Sequence, residues 1–283
     1  MKIQRQVLDS YQRNLRELSK ATQSVLLARL ATITYRDYDE LYYEIYQAFM
    51  EVVGQSATVS AGYAAQLYDA IRMAEIGEAL GATAITTMSD EGVQDTMHAV
   101  VTLAATDRLD DAIYTIIDRA GYEVGHSAIG SMLGNGDRDR VKVRYARVPG
   151  WSKTYGDGCP FCKMLASRGF VYRNALTAGE AYHYHANCTC TVIPSFDGKT
   201  GVQGYDPSKY RSWYEENKVL EATDPYKWVE PKNARPYVRY VGEERVASVG
   251  GMSMESLRGG GRKLLTEEQY AEYAERYGLQ GAR

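Results

Sequence analysis

All four cysteines of this 283-residue chain fall between Trp151 and Phe196. A C-x-x-C pair (Cys159, Cys162) is followed by H-x-H-x-x-C-x-C (His183, His185, Cys188, Cys190). Two clusters of soft ligands constrain a fold more than any apolar stripe does, because a shared ion or covalent link would tie two turns together. Zn²⁺ takes thiolate and imidazole ligands in a tetrahedron, and Cys159, Cys162, His185 and Cys188 are the set that this spacing favours. Cys190 is the substitute for Cys188, since the two thiolates of a C-x-C pair rarely bind one ion without strain. His183 is left to the surroundings. The expectation is a structural zinc clip. Reduced thiols without a metal, or two disulfides, stay open as alternatives. No secretory signal or long apolar run precedes the cysteines, and their usage suits a cytoplasm.

The remaining composition is that of a globular chain, with 45% hydrophobic and 24% charged residues. A net charge of −3 argues against a protein that binds nucleic acid over its whole surface. Tyrosine stands out, with 24 Tyr against 4 Phe. A tyrosine ring offers an apolar face and a hydroxyl, which suits wet contact surfaces and equally the rim of a helical core. No stretch approaches the ~20 apolar residues of a membrane span.

Helical periodicity dominates the first half. Leu8, Tyr11, Leu15, Leu18 and Val25 recur at three-four spacing within residues 4–30, with charged residues between. Asp37, with Glu40 three residues on, opens a second helix through a capping box, and Gly54 sits where its C-terminal cap belongs. A third helix is expected from about Ser60 to Leu80, using Ala64, Leu67, Ile71 and Ala74, and ending at Gly81. Ser89 and Asp90 open a fourth, with Val93, Met97, Val100 and Val101 inward. Asp107 opens a fifth, striped by Leu109, Ile113, Ile116, Ala120 and Val124. His98 and His126 stand alone in helical context and read as structural or surface histidines.

Gly134-Asn135-Gly136 is a breaker, after which Val141, Val143 and Tyr145 alternate with Arg140, Lys142 and Arg144. That pattern predicts a strand with one buried and one basic face, the basic face being solvated or available to an acidic partner or a nucleic-acid backbone. A short helix over Phe161–Ser167, a strand at Gly169–Tyr172 and another at Thr189–Ile193, ended by Pro194, complete a small unit. Beyond Gly198 a short helix over Asp206–Leu220 precedes a Pro-, Tyr- and Gly-punctuated arm, with a last helix capped by Thr266. The fold class is therefore α+β, mainly α. A helical bundle or array (1–134) is followed by a metal-clipped α+β module (135–198) and an extended arm (199–283).

These residues resemble a known family. A helical half, a basic strand ending near a tryptophan, then Cys159, Cys162, Leu165, Arg168, Gly169, Val171 and Tyr172, then His185, Asn187, Cys188, Cys190 and Pro194, resemble the phage Mu F-like minor head proteins. The closest-looking branch is that of actinobacterial tailed bacteriophages. The motif covers about a quarter of the chain and rests on fold-level analogy elsewhere. The resemblance implies a minor capsid or head morphogenesis protein that joins the procapsid near the portal, scaffold or major capsid protein. Such a protein is made in the host cytoplasm and stays inside the virion head, where packaged DNA is a further contact. Some relatives in that branch are named capsid maturation proteases, which is the alternative. No serine stands in a recognisable setting for His126 or His183, a cysteine nucleophile at Cys159 or Cys188 conflicts with metal ligation, and H-E-x-x-H is absent.

Overall fold

The computed structural model describes residues 2–150, 158, 160–174, 178, 190–196 and 201–223, with the backbone of 236–241, 244–249 and 252–253. Four long helices make the body: α1 (Arg5–Leu30), α2 (Tyr38–Ile76), α3 (Asp90–Ala105) and α4 (Leu109–Arg138). Short elements gather at one end of it. They are β1 (Lys2–Ile3), β2 (Arg144–Val148), α5 (Pro160–Ala166), β3 (Thr191–Ser195), β4 (Gly201–Val202) and α6 (Pro207–Thr223). A backbone meander follows, β5 (Pro236–Val241), β6 (Glu244–Val249) and β7 (Met252–Ser253), paired antiparallel in that order. The Thr266 helix lies outside the described residues, as does the rest of the arm.

The caps form where the sequence places them. Asp37 accepts from Glu40 N–H at 2.9 Å, and Ser89 accepts from Gly92 N–H at 3.3 Å. Glu40 reaches back to Arg36 N–H at 2.7 Å, one residue before the expected partner. Two expected helices are one, however. α2 runs 39 residues through Gly54, where a Cβ would make only an ordinary contact with Met88, and it ends only at Gly77 with φ +85°. A left-handed residue closes a helix by turning its N–H back, here to Met73 O at 2.9 Å. Gly134-Asn135-Gly136 likewise lies inside α4 and does not break it.

Two cores stack along the bundle. At the far end Leu26, Leu41, Ile45, Phe49, Val53, Val93, Met97, Val100 and Ile116 interdigitate. At the near end Leu8, Ala64, Tyr68, Ala128 and Met132 from the helices pack against Tyr145, Val192, Ile193 and Phe196 from the β element. The stripes drift at their ends. Leu26 is buried in place of Val25, and Leu109, Ile113 and Ala74 are exposed.

Between α2 and α3, residues 78–88 take no regular structure and lie along α4 as a strap. Side chains of the helices hold its backbone. Asp69 accepts from Leu80 N–H and Ala82 N–H, each at 2.8 Å. Asn135 accepts from Thr83 N–H at 3.0 Å and donates to Thr83 O at 2.9 Å. Ser131 accepts from Ile85 N–H at 3.3 Å. Gly130 and Gly134 are the notches in α4 that let Thr87 and Ile85 sit down, since a Cβ at Gly130 would collide with Thr87. Buried backbone groups need partners, and these side chains do the work of a neighbouring strand.

Candidate functional site: the cysteine-bearing end of the bundle

The described motif residues lie at the near end, on and beside a small unclosed β element. β2 pairs antiparallel with β3, Arg144 opposite Ser195 and Val148 opposite Thr191. On its other edge Tyr145 exchanges both backbone hydrogen bonds with Tyr172, at 2.8 and 3.2 Å. The segment expected as a strand at 169–172 is thus a turn with this single bridge. The same exchange explains why Pro194 sits inside β3 and does not end it. Tyr145 turns its polar groups away from Pro194, so the pair is a non-hydrogen-bonded one and a residue without N–H is tolerated. Tyr172 Oη donates to Leu165 O at 2.8 Å and ties α5 to the element. Gln12 Nε2 donates to Thr191 Oγ1 at 2.8 Å, and Phe196 N–H donates to Glu75 at 3.0 Å, fixing β3 to α1 and α2.

The approach to β2 follows the predicted alternation. Val143 and Tyr145 are buried, Arg140 and Lys142 exposed, and Arg144 half-buried. Arg147 departs from it. By parity it belongs to the face of Val143 and Tyr145, and its side chain is wholly buried. Its guanidinium donates through Nη1 to Ala178 O and through Nη2 to Cys190 Sγ, both at 2.9 Å. Burying a guanidinium is costly unless its donors are met, so these partners hold the element in register. Sequence reasoning missed Arg147, although counting two from Tyr145 places it inward. Burial pushes the Tyr172 hydroxyl pKa up against the opposing pull of Arg168 and Arg147, so it stays a neutral donor.

The expected zinc is overturned here. Among the described residues no group of three or more His, Cys, Asp or Glu is placed to hold a metal ion. Cys162 is buried on α5 and Cys190 is buried just before β3. A cation at 2.9 Å from Cys190 Sγ opposes a second, divalent one at the same sulfur. Cys159, His183, His185 and Cys188 lie outside the described residues. The metal-clipped module is therefore corrected to a β element stapled by Arg147, Tyr172 and a shared apolar core.

A second polar staple joins α2 to the end of α4. Arg72 Nε donates to Asp139 Oδ2 at 2.7 Å, Nη2 donates to Oδ1 at 3.3 Å, and Tyr68 Oη donates to Oδ2 at 2.9 Å. Burial pushes the Asp139 carboxyl pKa up, but the hydrogen bonds from Arg72, Val141 N–H and Tyr68 outweigh it and hold it below its usual range. The two histidines of the helical half serve packing. His98 is exposed and stacks on Tyr42 at 4.3 Å, while His126 stacks on Tyr122 at 5.0 Å and meets Thr87 Oγ1 through Nδ1 at 2.9 Å.

Fold and site together define a mostly helical protein whose described motif residues build a buried β-capped end. The chain belongs to the VG15 protein family, whose model matches residues 2–217. That span takes in the bundle, the strap, the β element and most of α6. No curated protein and no solved structure matches the chain.

Proposed function

We propose that this protein is a minor head protein of a tailed bacteriophage, acting in procapsid assembly near the portal and remaining in the virion head. The observation that carries the reading is the motif from Cys159 to Pro194, with its likeness to the Mu F-like minor head proteins. The way the described motif residues are used supports it. Cys162, Leu165, Tyr172 and Cys190 are buried, and with Pro194 they brace a β element against a helical body. A signature spent on bracing suits a part that must hold its shape inside a larger assembly. No helix among the described residues is long and apolar enough to cross a membrane. The partners this reading names are the portal, scaffold or major capsid protein.

Quantitative mass spectrometry of purified virions from the parent phage tests this, with the N-terminus of the major capsid protein read alongside. The intact chain is expected in a few copies per particle. Its absence from mature particles, together with a trimmed capsid N-terminus, would replace this reading with that of a capsid maturation protease.

A further inference from the structure

Charge is divided unevenly along this chain. From Asp37 to Asp107 there are twelve Asp and Glu and one cationic residue, Arg72. Elsewhere thirty-two Lys and Arg face twenty-four Asp and Glu, so a net charge of −3 conceals a strongly acidic quarter and a basic remainder. The structure gives each a surface. On the acidic side, Asp39, Asp90, Glu91 and Asp95 are exposed along the α2–α3 seam, and α3 carries no Lys or Arg at all. Tyrosines line the same region. Tyr42 and Tyr46 stack there, Tyr46 Oη donates to Asp90, and Tyr38 and Tyr43 are 41% and 58% exposed. On the basic side, Arg140 and Lys142 project from the run into β2, with Arg144 beside them.

One molecule cannot bring these surfaces together. Tyr42 and Tyr68 are twenty-six residues apart on the continuous helix α2, which is roughly 39 Å at 1.5 Å per residue. Tyr68 bonds Asp139, the neighbour of Arg140, so that length also separates the two charged regions. It is several times the screening length of about 8 Å at physiological salt, so neither charge relieves the other within the chain. Two acidic seams repel each other, which disfavours a two-fold pairing through that face. A basic edge, by contrast, meets both carboxylates and tyrosine rings there. Arg over Tyr is a contact this molecule already makes, Arg119 lying 5.3 Å from the Tyr122 ring centre.

We propose that copies of this chain associate head to tail, the acidic, tyrosine-lined α2–α3 seam of one receiving the Arg140–Arg144 edge of the next. Such a contact uses two different patches, so it propagates into a short chain or closes into a ring. The inference stands apart from the virion reading, because it uses only the charges and geometry of this protein.

Sedimentation velocity of the full chain at about 50 mM and about 500 mM salt is the test. The weight-average mass is expected to rise with protein concentration at low salt and to fall to that of the 31.6 kDa monomer at high salt. Glu91→Gln with Asp95→Asn, and separately Arg140→Gln with Lys142→Gln, should each weaken self-association by about tenfold or more. All four residues are outside the core, and unchanged circular dichroism and Tm verify the fold. Mixing the two variants leaves one good seam and one good edge, so heterodimers and nothing larger should form. A wild-type chain that stays monomeric at low salt overturns the proposal. So does self-association that both variants retain, or a mixture that makes no dimer. An Arg140–Lys142 variant that loses binding to a short DNA duplex while self-association is unchanged would assign the edge to nucleic acid instead.

Discussion

The two ends of the bundle are held by different physics. The far end, around Phe49, Val93 and Met97, is apolar contact between helices, and its exposed rim carries charge and tyrosine. The near end also has an apolar core, but buried and half-buried polar side chains run through it: Arg72 on Asp139, Asp69 and Asn135 on the strap, Arg147 on Cys190. Apolar packing is tolerant of small adjustments, whereas a polar staple must be complete or it costs more than it gives. The far end is thus free to vary its surface, while the near end is specified atom by atom.

The sharpest way to break this division is at the far end. Phe49→Ala empties a fully buried site and should cost about 4 kcal/mol in urea unfolding, with little dependence on pH. Asp139→Ala strands the Arg72 guanidinium, only 8% exposed, and should cost about 3 kcal/mol at neutral pH. Because the folded-state carboxyl sits below its unfolded value, its contribution is complete above the unfolded pKa and disappears as pH falls through the folded one. The gap between wild type and variant should therefore narrow below about pH 4, and a gap that stays constant there would remove the staple from the account.

Gly130→Ala pushes Thr87 off α4 and should cost about 2 kcal/mol, with hydrogen exchange accelerated in the strap before the helices. Uniform acceleration would mean that strap and body unfold as one. The smallest effect belongs to Glu123, almost fully buried on α4 beside Arg119. Burial raises its carboxyl pKa against the pull of that arginine, so wild-type stability falls as pH rises through the folded value. Glu123→Gln should be up to about 1 kcal/mol more stable at neutral pH, with the advantage vanishing in acid. A loss at neutral pH would show the ion pair to be a true staple.

What the sequence made legible follows the same line. Caps at Asp37 and Ser89 are decided within one turn, and both were readable. The stripe on α3 was readable because its four apolar positions all face one core. Gly54 and Gly134-Asn135-Gly136 were misread as breaks because a glycine's role depends on what packs against it. Gly134 and Gly136 admit Ile85 and Tyr145, which come from other elements and are not visible in the local pattern. Clustered cysteines pointed to zinc for the same reason: spacing showed thiols, and only the fold put a guanidinium against one of them.

The strap has a consequence for how the chain is made. Synthesis delivers residues 78–88 well before Gly130, Ser131 and Asn135, the surface they lie on. Until α4 leaves the ribosome, α2 can hold only the start of the segment that follows it, through Asp69 and the N–H groups of Leu80 and Ala82. The later part of the strap, from Thr83 to Thr87, therefore gains its partners only when the last turns of α4 arrive.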